Sequence, residues 1–268
     1  MKPSLDIRTI KNPKRMKYWW TFVGITIFMT LLYYVAFTQT NLSTRNSIWD
    51  AGPLLKRFFW DPFFMPEIHD KIPTYIHAML ETVAIAYAGT LIGAVLAIPV
   101  GFLAAANIGG HFSFIGKGIL NAVRAFPEIL FAIIFVASVG MGPYAGVLAI
   151  GINSIGMLGK LYAEVIESID MEIIHTLKAT GASKIQIWVF GVIPQVIPEF
   201  CSYALYRYEI DVRSSTVLGI VGAGGVGAPL ILAANSRKWE EVGMMLVVII
   251  LTVTIIDLIS TNIRKRIV

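Results

Sequence analysis

The residues best suited to recognise a ligand stand in one stretch late in the chain. A single arginine is followed by three hydroxyl side chains and then by a glycine-rich run. The residues concerned are Arg213, Ser214, Ser215, Thr216, Gly222, Gly224 and Gly225. A guanidinium beside hydroxyl donors can bind an oxyanion through charge-assisted hydrogen bonds, and the backbone N–H groups of the glycines can face the same anion. The stretch therefore predicts a path or site for an anionic ligand.

The same arginine has a structural alternative. Asp211 lies two residues before Arg213, and an ion pair between them at the rim of a membrane would neutralise the cation. Arg207 and Glu209 have the same spacing and favour the same structural interpretation. For Arg213 both interpretations stay open.

Catalytic chemistry is not indicated elsewhere. The run GAGGVG at 222–227 matches the GxGxxG pattern of dinucleotide-binding turns, but no alternating strands and helices surround it. The chain has no GxxxxGK[ST] phosphate loop and no HExxH, CxxC or GxSxG pattern, and its histidines lack metal-ligand spacing. We therefore expect no enzyme, no metal or cofactor bound by this chain, and no ATP hydrolysis by the chain alone.

The elements that must position these residues are membrane helices. Of 268 residues, 56% are hydrophobic and only 15% are charged, where an ordinary soluble domain has about a quarter charged. The mean hydropathy of +0.70 agrees. The net charge of +5 comes from basic residues at the membrane flanks, so topology explains it better than nucleic-acid binding does.

The apolar runs predict an all-α membrane protein with six transmembrane helices of about 20 residues each. They lie at 18–38, 82–106, a third run that ends at 139, 144–163, 184–206 and 240–260. Basic residues precede the first span and follow the last, so both ends are expected in the cytoplasm, and the number of spans is even. Residues 213–234 are then a broken or partly re-entrant segment, which needs protein or water to satisfy its backbone.

Two charges, Arg124 and Glu128, interrupt the third helix before the apolar run 129–139. A charge at the bilayer centre costs about 2.5–3.5 kcal/mol, so both side chains are expected to face protein or water. Their four-residue spacing lets them pair on one helix face. The alternative is a role in a polar path across the membrane.

The N-terminal region, 1–75, is expected to be separate from a five-helix core at 76–268. Besides the first helix it contains the piece GPLLKRFFWDPFF at 52–64. Aromatic and basic residues anchor at the membrane boundary, so this piece either lies along the outer surface or is an ordinary connecting loop.

A polar island at 164–198 stands between two apolar runs. Asp170 can cap a short helix, and Gly181 can end it with a left-handed residue. Three apolar residues at helical spacing share one face of that helix: Met171, Ile174 and Leu177. Ser183 and Gln186 form a capping box that restarts a helix. The island is either a surface offered to a cytoplasmic partner or a solvated loop.

Several stretches of the second half resemble a known family. They are TGAS (180–183) followed by Ile193-Pro194-Gln195, and the longer LKATGAS (177–183), VIPQVIP (192–198) and YEIDVRSSTVLGIVGAGGVG (208–227). The first pair resembles the cytoplasmic coupling motif of ABC importer permeases, and the longer stretches resemble the permease subunit of phosphonate importers. The resemblance runs from about Ile76 to Ile259. One position departs from the family, because His175 stands where an acidic residue is usual.

The resemblance implies a type I ABC importer permease fold with a cytoplasmic coupling helix at about 170–181. The residues that it assigns to ATPase coupling are Asp170, Ile174, His175, Leu177, Lys178, Ala179, Gly181, Ala182 and Ser183. It implies two copies of this chain in a bacterial plasma membrane and two cytoplasmic ATPase subunits that bind ATP and magnesium. An extracytoplasmic binding protein would deliver the substrate, and the translocation path would carry phosphonate, phosphate or a related oxyanion.

Two other classes of function remain as alternatives. An ion-coupled secondary transporter also uses broken glycine-rich helices, and its intramembrane charges would be Arg124, Glu128 and Glu199. A membrane docking protein that transports nothing would use the polar island as its binding surface. The first predicts uptake driven by an ion gradient, and the second predicts partner binding without substrate-dependent ATP turnover.

Overall fold

The computed structural model describes residues 13–39 and 51–267, with side chains from Tyr18 and from Gly52 onward. The chain forms two compact units, residues 1–52 and 53–268. In the first unit, helix α1 (Pro13–Gln39) contains the predicted span 18–38. Its aromatic and aliphatic side chains are exposed, which is the surface that a membrane helix presents to lipid.

From residue 51 onward the described chain is helical, with short connections. The helices are α2 (Ala51–Phe59), α3 (Pro66–His69), α4 (Ile72–Ala104), α5 (Ala106–Gly109), α6 (Ser113–Ala125), α7 (Glu128–Val139), α8 (Pro143–Glu167), α9 (Met171–Ala179), α10 (Lys184–Gln186), α11 (Ile193–Leu218), α12 (Gly227–Asn235) and α13 (Trp239–Ile267). Short 3-10 turns occupy Asp61–Phe63, Gly110–Phe112 and Gly219–Val221, and a π-helical turn occupies Ile187–Val192.

Within the described residues, five helical stretches are long and apolar enough to cross a membrane, and α6 with α7 makes a sixth if that bent pair is one span. With the bent pair included, the count agrees with the predicted six. The axes of α6 and α7 differ by 81°. The bend has a local cause: Phe126 precedes Pro127 and is extended (φ −90°, ψ 127°), since the residue before proline is disfavoured in the helical region.

The core is built on the contact between α4 and α8. A Cβ added at Gly89 would lie 2.7 Å from the side chain of Ile150, and one added at Gly93 would lie 2.5 Å from Cβ of Ser154. Small residues let membrane helices approach this closely. The two helices therefore form a tight pair against which α6, α7 and α11 pack.

Two helices extend furthest beyond their predicted bounds. Helix α4 begins at Ile72 instead of residue 82, and α11 continues to Leu218 instead of ending at Tyr206. The extension of α11 carries charged residues, which is why a hydropathy criterion ends the span too early. Arg207, Glu209 and Asp211 are nevertheless buried among neighbouring helices.

The segment predicted as broken has a break that begins at Gly219. A 3-10 turn is followed by residues 222–226, here called the glycine turn, in which Gly222, Gly224 and Gly225 have φ values of +92°, +83° and +75°. Helix α12 then has 9 residues. At about 1.5 Å per residue it is too short to cross a bilayer.

The piece 52–64 is helical over α2 and packs on the start of α13. The rings of Phe58 and Trp239 have centroids 5.4 Å apart, and Arg57 Nε lies 2.5 Å from Glu240 Oε1. This hydrogen bond raises the pKa of Arg57. Phe59 and Trp60 are exposed. The piece is therefore helical and packed on α13, and its position along a membrane surface stays a prediction.

Candidate functional site

The short helix α9 has the cap and the stop that its sequence predicts. The Asp170 carboxylate accepts a hydrogen bond from the N–H of Glu172 at 2.8 Å. At the other end Gly181 has φ +83°, and the N–H of Ala182 donates to the carbonyl of Leu177 at 3.1 Å. The left-handed glycine and the returning hydrogen bond satisfy the last carbonyls of the helix. The polar island therefore contains the predicted helix and is not the solvated loop considered as the alternative.

The predicted capping box is also present. The Ser183 N–H donates to Gln186 Oε1 at 2.8 Å, and the Gln186 N–H donates to Ser183 Oγ at 3.4 Å. The chain then passes through the π-helical turn 187–192 into α11, whose first turn contains Pro194. Local π-helical adjustment is one way in which a membrane helix accommodates the missing N–H of a proline.

One face of α9 packs against this restarted helix. Ile174 is buried, and a Cβ added at Gly191 would lie 2.9 Å from Leu177 Cδ1. Met171, the third residue of the predicted apolar face, is 40% exposed. Together with Trp188 it lines a cavity of about 300 Å³ between α9 and the π-helical turn. The glycine therefore allows α9 to lie directly on the start of α11.

Most residues assigned to the coupling function lie on the outer side of this arrangement. The exposed ones are Asp170, His175, Lys178, Ala179, Gly181 and Ser183, whereas Leu177 and Ala182 are half-buried and Ile174 faces the protein. We call these exposed residues the α9 surface. The charged side chains of the α9 surface are exposed, whereas the opposite, apolar face of α9 packs against the start of α11.

A contact that the sequence analysis missed joins α9 to α11. Gln195 Oε1 accepts a hydrogen bond from the N–H of Asp170 at 2.8 Å, and its Nε2 donates to the carbonyl of Gly191 at 2.6 Å. One side chain therefore bonds both the cap of α9 and the π-helical turn. In the sequence, Gln195 could have been noticed as the single amide side chain between Pro194 and Pro198 in an otherwise apolar run.

Gln195→Leu is expected to loosen the cap of α9, because the N–H of Asp170 loses its acceptor. A net hydrogen-bond contribution of about 1 kcal/mol corresponds to about fivefold faster opening. Hydrogen–deuterium exchange of residues 168–180 measures this. Gln195→Glu is the matched control, since it keeps the acceptor, and its exchange at Asp170 should stay near native. Equal exchange in the native protein and Gln195→Leu would contradict the assignment.

A second polar group lies deep between the long helices. We call it the central ion cluster, and its members come from four helices: Thr90, Glu128, Asn153, Ser154, Arg207 and Asp211. Thr90 and Ser154 stand near the middles of α4 and α8. The cluster therefore lies at the middle of these two long helices, and an unpaired charge is expensive near the centre of a bilayer.

Asp211 is the best-satisfied member of the central ion cluster. It is fully buried, and its Oδ2 accepts hydrogen bonds from Thr90 Oγ1 at 2.7 Å and Ser154 Oγ at 2.9 Å. Its Oδ1 lies 2.7 Å from Arg207 Nη2. Two hydroxyl groups and a cation thus offset the cost of burying the carboxylate.

Arg207 and Glu128 complete the cluster less fully. Arg207 Nε donates to Ser154 Oγ at 3.0 Å, and its Nη1 points to Met157 Sδ at 3.3 Å. Glu128 Oε2 accepts from Asn153 Nδ2 at 2.9 Å and lies 3.6 Å from Arg207 Nη2. The cluster therefore contains two carboxylates for one guanidinium.

These contacts correct two ion pairs considered from the sequence. Arg207 pairs with Asp211 and not with Glu209, which instead binds Arg264 at 2.8 Å. Arg213 binds both oxygens of Asp257, at 2.9 and 2.8 Å, and not Asp211. In a helix, side chains two positions apart point to different faces, so neither local pair forms.

The expected pair of Arg124 with Glu128 is also wrong. The break at Phe126 and Pro127 puts the two residues on different helices, α6 and α7. Glu128 then stands at the first position of α7 and turns to the central ion cluster. The spacing argument failed because it assumed one continuous helix.

The other residues of the predicted anion path are divided between two places. Ser214 is half-buried, and Ser215 is buried. In the glycine turn, the N–H of Gly225 donates to Glu81 Oε1 at 3.1 Å, and the N–H of Val226 donates to Thr82 Oγ1 at 2.8 Å. These donors tie the glycine turn to α4. Among the described residues, no three His, Cys, Asp or Glu side chains are placed to hold a metal ion.

Comparison with known proteins gives consistent similarities. Residues 97–268 match the family described as "Binding-protein-dependent transport system inner membrane component". The phosphite transport system permease protein PtxC of Stutzerimonas stutzeri is 36% identical over 250 residues, which cover 92% of this chain and 90% of that protein. The phosphate-import permease protein PhnE of Mycolicibacterium smegmatis is 39% identical over 193 residues, which cover 71% of this chain and 36% of that protein.

Among solved structures, an inward-facing form of the MetNI methionine ABC transporter superposes with a TM-score of 0.65 at 20% identity. The match covers 74% of this chain and 98% of that one. This likeness concerns the fold, and it confirms the fold expected from the sequence.

Proposed function

The chain belongs to the family of binding-protein-dependent transport system inner membrane components, and from that premise we propose that it forms the path of an importer for phosphite, phosphonate or phosphate. The observation that carries the substrate class is the similarity to PtxC over 92% of this chain. PtxC and PhnE are named for phosphite and phosphate, and both anions are tetrahedral phosphorus oxyanions. The central ion cluster supplies polar groups for such an anion inside the helix bundle.

As the membrane component of an ABC importer, the chain works with a separate ATPase and a binding protein, and it is not itself the enzyme. It is a multi-pass membrane protein. We further propose that two copies enclose one path in a bacterial plasma membrane. The basic residues outside the first and last spans favour cytoplasmic termini, and we divide the chain into an N-terminal region at 1–75 and a permease core at 76–268.

The proposed coupling runs through α9. A cytoplasmic ATPase subunit would bind the α9 surface, and its movement on ATP binding would displace α9. Gln195 and the contact of Leu177 with Gly191 would carry that displacement to α11. ATP can bias inward-open against outward-open states only if the ATPase contacts α9 differently in the two.

The test is reconstitution of the chain with its ATPase and binding protein in liposomes. Uptake of radiolabelled phosphate, phosphite and methylphosphonate is measured with and without ATP, and ATP hydrolysis is recorded in parallel. We expect uptake of at least one of these anions to require ATP and to stimulate hydrolysis. Uptake that follows an ion gradient without the ATPase would overturn the proposal in favour of a secondary transporter. Binding of the ATPase without uptake of any of these anions would instead favour a membrane docking protein that transports nothing.

A further inference from the structure

The central ion cluster has hydrogen-bonding capacity that the described chain does not use. Among the described residues, Glu128 Oε1, Arg207 Nη2 and Asp211 Oδ1 have no hydrogen-bond partner, although all three atoms are buried. Arg207 Nη2 and Asp211 Oδ1 are in ion-pair contact at 2.7 Å, but the groups are not aligned for a hydrogen bond.

The donor side of this unused capacity is Arg207. Its side chain is only 6% exposed. Nη1 donates only to the sulfur of Met157 at 3.3 Å, and a thioether is a weak acceptor. By contrast, Arg213 donates to both oxygens of Asp257. Arg207 is therefore the better-placed arginine for binding a further acceptor with planar, charge-assisted geometry.

The acceptor side is Glu128. Its Oε2 is held by Asn153, while Oε1 has no donor among the described residues. Glu128 also opens α7, a helix of 12 residues whose N-terminal end carries a partial positive charge. In membrane transporters the N-termini of broken helices recognise anionic groups of the substrate. A free carboxylate oxygen thus stands beside groups that attract an anion.

We propose that Arg207 and Glu128 form a site for a tetrahedral phosphorus oxyanion that carries a P–OH group. This rests on the proposed function and assigns its specificity. Arg207 donates to the charged oxygens of the anion, and Glu128 Oε1 accepts the hydrogen bond of the P–OH group. The proton between the two oxygens removes the repulsion that a carboxylate would exert on an unprotonated oxygen. Sulfate has no such proton, so the site rejects it.

Burial of the site agrees with alternating access. Glu128 Oε1 and Arg207 Nη2 are covered in this conformation, so an anion reaches them only after α7 moves. The break at Phe126 and Pro127 gives α7 a pivot next to the site. An anion that binds Arg207 and Glu128 only in the opened state stabilises that state relative to the closed one.

The experiment measures binding to the complex of this chain with its ATPase in nanodiscs without the binding protein, so that only the permease selects. The probe is radiolabelled inorganic phosphate, and unlabelled phosphate or sulfate competes. For the native complex we expect saturable binding and about tenfold weaker competition by sulfate than by phosphate. Glu128→Gln should bring sulfate and phosphate closer together, to within about threefold, because the amide can donate to a bare oxygen.

Arg207→Gln should weaken phosphate binding by at least about tenfold, and Arg207→Lys should restore part of it. The matched control is Arg264→Gln, which also breaks an arginine–carboxylate pair on α11 and should leave phosphate binding near native. Size-exclusion profiles and basal ATP hydrolysis report whether each variant is assembled. If Arg207→Gln does not assemble, the change of sulfate competition in Glu128→Gln decides.

The outcomes separate this inference from the proposed function. ATP-driven phosphate uptake by the native system, with unchanged sulfate discrimination in Glu128→Gln, would overturn the site and leave the importer intact. Saturable phosphate binding that is equally tight in the native complex and in Arg207→Gln would also overturn the site and leave the importer intact. Absence of both binding and uptake of all phosphorus oxyanions would overturn the proposed function itself.

Discussion

Gly181→Pro is expected to reduce ATP-driven uptake to below about one tenth of the native rate. Gly181 has φ +83°, whereas proline is restricted to about −65°. Its N–H donates to the carbonyl of Lys178 at 3.1 Å, and proline has no N–H to replace it. The stop of α9 would be lost, and the α9 surface would no longer have one orientation. Uptake and substrate-stimulated hydrolysis in proteoliposomes measure the effect.

The matched control is Gly181→Asn. Asparagine tolerates the left-handed region better than other residues with a Cβ, and a Cβ at this position would meet no heavy atom within 4 Å among the described residues. Uptake by Gly181→Asn should therefore stay above about half the native rate. Basal hydrolysis should survive in both variants, since the ATPase is a separate subunit. Native-rate uptake by Gly181→Pro would show that the stop of α9 does not matter for coupling.

Asp211→Ala is expected to be the most destabilising single change in the central ion cluster, by about 3–5 kcal/mol. Asp211 is fully buried and bonds Thr90, Ser154 and Arg207 at once. Its removal leaves the guanidinium of Arg207 buried with Glu128 as the remaining carboxylate at 3.6 Å. We expect a lower unfolding temperature and poor recovery of the purified protein.

Glu164→Ala is the comparison for Asp211→Ala. Glu164 also pairs with a cation, Lys160, at 3.5 Å, but the two side chains are about half exposed. Exposed pairs contribute about 0–1 kcal/mol, so the unfolding temperature should change little. Thermal unfolding of both variants in the same detergent tests the difference. Equal stability of the two variants would mean that the central ion cluster does not support the fold.

Local features of the chain were predictable because short-range chemistry determines them. The cap at Asp170, the left-handed stop at Gly181 and the capping box at Ser183 depend on residues within a few positions of one another, and all three are present. The number of spans followed from hydropathy in the same way. These are the parts of the α9 surface and the fold that a single sequence specifies.

The ion pairs were mispredicted for two reasons: Arg207 pairs four positions along its own helix instead of two, and the partner of Arg213 lies on another helix. Arg207 and Arg213 each had a carboxylate two positions away, yet they pair with Asp211 on the next helical turn and with Asp257 on α13. Periodicity shows which residues share a helix face, but it does not show which helix lies opposite. Glu128 was misassigned for a related reason, since one extended residue before Pro127 redirects the whole of α7.

Helix α11 is bonded to its neighbours near its N-terminus and just beyond its C-terminus. Gln195 bonds it to the cap of α9, and the glycine turn bonds to Glu81 and Thr82 of α4. A helix held at one end only can absorb a displacement by fraying or bending at its free end. A helix held at both ends transmits the displacement along its length. Under the coupling proposed above, a displacement of α9 would therefore reach the glycine turn at the far end of α11.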